Sequence, residues 1–463
     1  MKSYSEMAKE VRKKRDQYDQ KRKKYKKAAK LFSLVLAFMI FVGVLLFWNM
    51  GDENTEVVKA VDLMVGIQRN PVSGTENLME DSRILSDFAV RLLQTEMKKG
   101  ENVLLSPLSV VEALGMTING ADSSTLGEME AVLGLDADEL NRFCYSYHEA
   151  LPKVGTSYLI RANSIWFSAN GTNQVINDFL QRDADYYDAE MFQVPFDSHL
   201  ADQMNEWVSE KTKGTIPKVL DKTSKEAVLY LINALSFEAE WGKKFPITNV
   251  KDGDFLLGDG RKIKVTYLTD MEFRYLENDR ATGFMKSYAP YSGRRYYFVA
   301  LLPREGISVE EYVAGLSGDE LHSMIQGMRD TAVLAQIPKF DVTYDGELSG
   351  SLKGMGMTKA FDQKEADFSR MVVANTENEQ GRKKAADNVY LSKVIHKTML
   401  SLNERGTKAG AVTAVEMELG GTTPDYEEVS LMRPFVYAII DDQASFPIFL
   451  GICQVPQTGD ASK

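Results

Sequence analysis

The chain has 463 residues, of which 44% are apolar, 26% charged and 10% aromatic, a composition that excludes a disordered, collagen-like or low-complexity protein and provides for a folded core. The net charge of -11 is unevenly spread: residues 1–30 hold 13 Lys/Arg against 4 Asp/Glu, which leaves residues 31–463 at -20 and argues against nucleic acid as a partner of the body. Cys144 and Cys453 are its only cysteines, so a disulfide framework is excluded and at most one bridge is open to it.

In chain order, residues 1–30 form a basic tail, and Leu31 to Trp48 follow as LFSLVLAFMIFVGVLLFW, without a charge or a proline. At about 1.5 Å per residue a helix of that length spans roughly 27 Å, close to the hydrocarbon thickness of a bilayer. The basic block before it (Lys13, Lys14, Arg15, Lys21 to Lys24, Lys26, Lys27, Lys30) sets the amino terminus in the cytoplasm and the rest outside. A cleaved leader would need a shorter apolar run and small residues at its end, whereas Asn49-Met50-Gly51-Asp52-Glu53 follows here. The span therefore reads as an uncleaved signal anchor in a cell membrane, with residues 49–78, polar and without sustained period, as a flexible tether.

Past the tether, Ile84, Leu85, Phe88, Ala89, Leu92 and Leu93 mark one stripe of an amphipathic helix, closed by Lys98, Lys99 and Gly100. Ser106-Pro107 predicts a second helix start, with serine as the cap and proline in first position. Strand-like stretches run over Ile165 to Phe167, Val228 to Phe237, Tyr296 to Leu302, Val333 to Ile337, Phe435 to Ile440 and Ile448 to Val455. Asp202 to Lys213 and Gly346 to Met355 read as helices. Helices and strands are interspersed without a regular βαβ alternation, which predicts an α+β fold in one large domain over residues 79–457, ahead of a short tail at 458–463.

Catalytic signatures are missing: there is no G-x-S-x-G, no H-E-x-x-H and no phosphate-binding G-x-x-x-x-G-K-[ST]. His148, His199, His322 and His396 are scattered without metal-ligand spacing, so neither a metal nor a cofactor is expected and the chain does not read as an enzyme. Asn403 to Glu428 (NERGTKAGAVTAVEMELGGTTPDYEE) stands apart. From Thr407, alternate residues are Thr407, Ala409, Ala411, Thr413, Val415, Met417 and Leu419, a strand period with one apolar or Thr face. Yet the segment is rich in Gly and Ala and runs into Gly-Gly-Thr-Thr-Pro, a loop signal. An ordinary edge strand followed by a loop fits it, and so does a segment that is loop in one state and strand in another.

These features occur among motifs that resemble a serpin from about residue 80 to 457, in family order. Asn102-Val-Leu-Leu-Ser106-Pro107-Leu-Ser109 resembles the start of the second helix, and Ala162 to Phe167 the strand after it. Met204 to Ile216 and Leu231-Ile-Asn233-Ala-Leu-Ser-Phe237 follow, with Trp241 at the family spacing. Then come Pro338-Lys339-Phe340, Gly356 to Phe361, His396 eight residues before Glu404, Arg433-Pro434-Phe435 and Phe449-Leu-Gly451. The resemblance implies a large central β-sheet flanked by helices, a smaller β-barrel, and Asn403 to Glu428 as an exposed reactive-centre loop. It also implies a suicide mechanism. A serine protease attacks the loop, forms an acyl-enzyme in a covalent 1:1 complex with the monomeric inhibitor, and is dragged and distorted as the cleaved loop enters the sheet.

Carried over by position, Glu404, Arg405, Gly406, Thr407, Lys408, Ala409, Gly410, Ala411 and Val412 resemble the hinge where insertion begins. Val412 is bulkier than the family usually has, but the alternation assigns it to the outward face. Ser106, Ser109, Asn233 and His396 match positions under the sheet where strands part, and Trp241 the place where the loop first enters. Counting from either end brackets the scissile bond within Leu419, Gly420, Gly421, Thr422, Thr423 and Pro424, in a loop about three residues longer than common. Without Arg or Lys in that window, trypsin-like enzymes are expected to be poor targets and elastase-like or subtilisin-like ones better. A non-inhibitory serpin that binds or carries a partner is the alternative.

Overall fold

The computed structural model of the chain describes residues 58–150, 158–169, 173–187, 189–224, 226–272, 274–289, 295–374, 389–407 and 425–457. Its contacts divide the chain after Val58, and the elements below belong to the part that begins at Lys59. They run β1 (Val61–Asp62), α1 (Leu78–Glu96), β2 (Val103–Leu105), α2 (Pro107–Ile118), α3 (Ser123–Leu133), α4 (Ala137–Ala150), β3 (Tyr158–Ser168) and β4 (Asn173–Val175). Next are α5 (Asn177–Tyr187), β5 (Glu190–Val194), α6 (Leu200–Lys211), β6 (Leu229–Glu240), β7 (Val250–Leu256), β8 (Lys262–Glu272), β9 (Tyr275–Glu277), β10 (Ala281–Ser287) and β11 (Tyr296–Pro303). The rest are α7 (Val309–Ala314), α8 (Gly318–Gln326), β12 (Val333–Pro338), β13 (Phe340–Glu347), α9 (Ser349–Gly354), β14 (Val372–Ala374), β15 (Lys393–Asn403), β16 (Gly406–Thr407), β17 (Glu427–Ser430), β18 (Phe435–Asp441) and β19 (Pro447–Cys453).

Among the described residues the largest sheet has seven strands in the order β1-β5-β3-β6-β16-β15-β13. A six-stranded sheet runs β2-β19-β18-β11-β10-β9, and a four-stranded one β17-β12-β8-β7. Helix α2 carries no polar face because it needs none. All twelve of its residues are buried, and it lies between β19 on one side and β3 and β6 on the other. Ser106 starts it as read, its side chain accepting from the Ser109 N–H at 3.3 Å with Pro107 in the first turn. On the opposite face of the large sheet, Leu200, Met204, Trp207 and Val208 of α6 pack over Trp166, Tyr230, Ile232, Ala234 and Ile395. The two faces thus have separate cores, and the sheet is covered on both sides. Cys144 and Cys453 are both buried free thiols.

Two readings need correction. The tether expected over residues 49–78 does not hold from Ala60 onward, where the Ala60 N–H donates to Gln203. Val61 and Asp62 pair antiparallel with Gln193 and Phe192 on the edge of the large sheet, and Leu63, Met64 and Ile67 pack against the core. The polar residues taken as loop signals have partners: the Asn70 N–H donates to Asp185 at 2.7 Å, and the Thr75 N–H to Ser146 Oγ at 2.8 Å. An arm built of a two-residue strand and turns has no period to read. The helix expected at Gly346 to Met355 is also shorter, because Gly346 and Glu347 continue β13 opposite His396 and Ile395, leaving α9 to begin at Ser349. The expected span at 31–48 lies outside the described residues, and no helix within them is long and apolar enough to cross a membrane.

Candidate functional site

The seam between β6 and β15 is the centre of the large sheet and the place where the expected loop begins. The two strands run parallel over seven pairs, from Lys393 opposite Tyr230 to Met399 opposite Ser236. Beyond that point they part, and β16 lies between them, antiparallel to both, with Thr407 facing Leu402 and Ala239. Two clusters of the expected residues line this seam, one under its closed part and one at its open end.

Under the closed part, the structure brings Ser106, Ser109, Asn233 and His396 together, all buried. The Ser106 N–H, which can only donate, points at His396 Nε2 at 3.0 Å. The imidazole therefore keeps its proton on Nδ1 and donates it to Asn233 Oδ1 at 2.6 Å. Asn233 Nδ2 in turn donates to the Ser109 carbonyl and to Asn163 Oδ1, the latter at 2.9 Å. Asn163 passes the chain on to Glu112 at 2.7 Å, and Glu112 closes it as an ion pair with Arg161. Complete burial pushes the His396 pKa down to about 3, so the ring is neutral, and it lifts the Glu112 carboxyl despite Arg161. The Ser109 hydroxyl has no partner among the described residues. One polar chain thus ties α2 to β3, β6 and β15, and the Asn233–His396 bond crosses the seam itself.

Trp241 stands apart from this cluster, at the open end. Its ring stacks on Tyr288 at 4.5 Å, its Nε1 donates to the Asn403 carbonyl at 2.8 Å, and its backbone N–H to the Arg405 carbonyl at 2.9 Å. Glu404 is held by Lys339 at 2.6 Å; burial opposes its ionisation, but the Lys339 ammonium, its own backbone N–H and the Arg405 charge together keep the carboxyl below its ordinary range. Gly406 has φ +151, and a Cβ there would lie 2.0 Å from the Ala239 carbonyl oxygen, so only glycine passes. Thr407 is fully buried, its hydroxyl 2.8 Å from the Tyr288 hydroxyl. Below the Trp241 and Phe245 rings Lys286 is sealed, paired with Glu272 and 4.3 Å from the Phe245 centroid.

Of the expected hinge, Glu404, Arg405, Gly406 and Thr407 are placed; Lys408, Ala409, Gly410, Ala411 and Val412 lie outside the described residues, as do Leu419 to Pro424. Asn163, Glu112, Arg161, Tyr288, Lys339 and the Lys286–Glu272 pair were missed as site residues. Asn163 was in view as part of a motif, but nothing in its spacing points to Asn233, which lies 70 residues away in sequence. What the arrangement can do is hold two strands together through the Asn233–His396 bond across the seam, while a short strand already occupies one end of it.

Comparison with known proteins bears on this geometry. The family model described as "Serpin (serine protease inhibitor)" matches residues 83–456. A serpin-like protein of Thermococcus kodakarensis is 28% identical over 384 residues, covering 81% of this chain and 85% of its own. The leukocyte elastase inhibitor of Bos taurus is 27% identical, covering 80% and 97%. The crystal structure of tengpin, a thermophilic serpin, in its native state superposes with a TM-score of 0.79 at 40% identity, covering 86% of this chain and all of that one.

Proposed function

Starting from the fact that the chain belongs to the serpin family of serine protease inhibitors, we propose that it is a membrane-tethered, outward-facing suicide inhibitor of elastase-like or subtilisin-like proteases. The reading rests above all on β16. The first two residues of the candidate loop that enter the seam are already a strand between β6 and β15, bonded to both. A protease serine that attacks a bond within Leu419 to Pro424 releases the new amino terminus with the C-terminal part and keeps the N-terminal part as an ester. Extension of β16 along the seam then carries that ester, and the protease with it, away from the point of attack. Each residue inserted exchanges one parallel pair between β6 and β15 for antiparallel pairs on both sides, which favours completion.

The membrane part of the proposal is supported by the uncharged 18-residue run at 31–48 and the Lys/Arg block before it. The absence of Arg and Lys from 419–424 supports the choice of target, since a trypsin-type pocket requires a cation. The leukocyte elastase inhibitors among the relatives lean the same way.

The test is to extract the full chain in detergent, mix it with neutrophil elastase, subtilisin and trypsin, and follow denaturing gels with mass spectrometry of the released carboxy-terminal peptide. A gel-stable adduct with an elastase-like or subtilisin-like enzyme, and a peptide beginning within Gly420 to Pro424, is the expected result. A faster adduct with trypsin overturns the target class. Cleavage without an adduct by any enzyme overturns inhibition and leaves a binding or carrier serpin.

A further inference from the structure

The candidate loop begins at residues 403–407 and ends on β17, and a short route through the fold joins these two feet to each other. The near foot is held by a lip, residues 241–245. Three bonds run from the lip to it: Trp241 Nε1 donates to the Asn403 carbonyl, the Phe245 N–H to the Glu404 carbonyl at 3.1 Å, and the Trp241 N–H to the Arg405 carbonyl at 2.9 Å. The far foot is held by β12, which pairs parallel with β17 from Val333 opposite Glu427 to Gln336 opposite Ser430. On its other side β12 pairs with β8, where Val333 faces Glu272 and Ala335 faces Asp270.

Asp270 and Glu272 make the link between the two. Two apart on one strand, they share a face of β8, and each meets a lysine from beyond the sheet. Lys243 belongs to the lip itself, half-exposed, with its Nζ 2.8 Å from Asp270 Oδ1. That oxygen also accepts from the Met271 N–H at 2.8 Å, which fixes the carboxylate to its own strand. Lys286, on β10, pairs with Glu272, and its ammonium lies 4.3 Å from the Phe245 centroid and 5.5 Å from the Trp241 ring centre. Lys286 and Asp270 are buried and Glu272 nearly so. Two cations and two anions balance, which makes that burial tolerable. Apolar side chains of like volume would serve stability as well, whereas charges paired from strand to lip fix the separation of the two parts.

On the reading of the chain as a loop-inserting inhibitor, we infer that Lys243, Asp270, Glu272 and Lys286 form a clamp between the two feet of the loop and are positioning residues for the trap. The clamp acts through the lip. Held at a fixed distance from the four-stranded sheet, the lip keeps residues 403–405 in place, and β16 stays between β6 and β15 as the strand that insertion extends. A lip free to shift lets β16 withdraw, and the delay favours hydrolysis of the acyl-enzyme. Water then adds its hydroxyl to the loop's carbonyl carbon, the bond to the protease serine oxygen breaks, and the remaining proton goes to that oxygen. The inhibitor is spent as a substrate.

The test compares K243M, K243R, K243M/D270N and K286M/E272M, each as the full chain in detergent. Both double variants remove a whole pair, so neither can misfold merely through an orphaned buried charge. One readout is the ratio of substrate turnover to covalent trapping with elastase and with subtilisin. The other is hydrogen exchange on the uncut chain at the Glu427 and Leu431 amides, which donate to the Ala332 and Gln336 carbonyls at the far foot. K243M and the two double variants are expected to raise turnover by up to about fivefold, the range of a partly exposed ion pair, and to quicken exchange at Glu427 and Leu431. K243R keeps the cation and should match the wild type in both.

Wild-type partition and exchange in all the variants overturn the clamp and leave loop insertion standing. K243R behaving as K243M overturns charge as its basis. Faster exchange without more turnover overturns the positioning role, and more turnover without faster exchange overturns the joining of the two feet. A wild-type chain that subtilisin cuts in the loop, and that then unfolds at the same temperature as the uncut chain, overturns loop insertion itself and the positioning role with it.

Discussion

Acid should loosen the seam through His396. The ring is neutral because complete burial disfavours its charged form; its Nε2 lone pair also faces the Ser106 N–H, so a second proton on it would set two donors against each other at 3.0 Å. The folded-state pKa near 3 stands below the ordinary value of about 6.5, so between those values the unfolded chain binds a proton that the folded chain refuses. Stability from this group is therefore complete above pH 6.5, falls as the pH drops through 6.5, and goes on falling to about pH 3. Between pH 7 and pH 5 the loss works out at about 2 kcal/mol, or about a thirtyfold change in the equilibrium. Buried carboxyls with raised pKa values act in the opposite sense, because Glu112, Asp183, Glu272 and Asp441 take up protons more readily folded than unfolded. The histidine term is isolated by difference. H396Q offers an acceptor to Ser106 and a donor to Asn233 without titrating, and the first unfolding transition in urea is measured for both proteins at pH 7 and pH 5. The wild-type protein should lose about 2 kcal/mol more than the variant. A difference below about 0.5 kcal/mol would refute the assigned tautomer and burial as the source of acid sensitivity.

Three further outcomes are expected. G406A places a methyl group against the Ala239 carbonyl and should expel β16 from the seam, at a cost of about 1–3 kcal/mol; unchanged hydrogen exchange at Ala239 and Leu402 would count against it. W241F gives up the bond to the Asn403 carbonyl and part of the stack on Tyr288, and should lower the urea midpoint by an equivalent of about 1–3 kcal/mol, an outcome excluded if the midpoint stays put. Removal of residues 1–73 strips β1 and the contacts to Asp185 from the sheet edge and should lower the melting temperature by about 3 °C relative to removal of residues 1–57; equal melting temperatures would show that the arm contributes nothing.

The elements that could be read from the sequence are those whose signal is local. The stripe from Leu85 to Leu93 and the Ser106-Pro107 cap are periodic or stereochemical facts of neighbouring residues, and they reappear as α1 and the start of α2. Gly346 misled because glycine, with apolar residues after it, fits a short helix as well as a strand; its pairing with His396 comes from a strand fifty residues away. The site was legible in its hinge, where alternation put Thr407 on the apolar face, but Tyr288, whose hydroxyl pairs with that of Thr407, is 119 residues distant. His396 by itself looked like any scattered histidine. Only resemblance grouped it with Ser106 and Asn233, and only the fold shows that Asn163, Glu112 and Arg161 continue the chain of bonds.

The margins of the large sheet bear on how molecules of this protein behave in company. Among the described residues the outermost strand on one side is the two-residue β1, curled away at once by the Asp62 carboxylate, which accepts from the Met64 N–H at 2.8 Å. On the other, β13 presents Asp341, Asp345 and Glu347 along an edge that another acidic chain would have to approach. Short strands and charges of this kind discourage recruitment of a foreign strand at an edge. A sheet that parts in its middle, where β16 already lies between β6 and β15, while its borders carry short strands and charge, offers an added strand a place at the seam and denies it one at either margin.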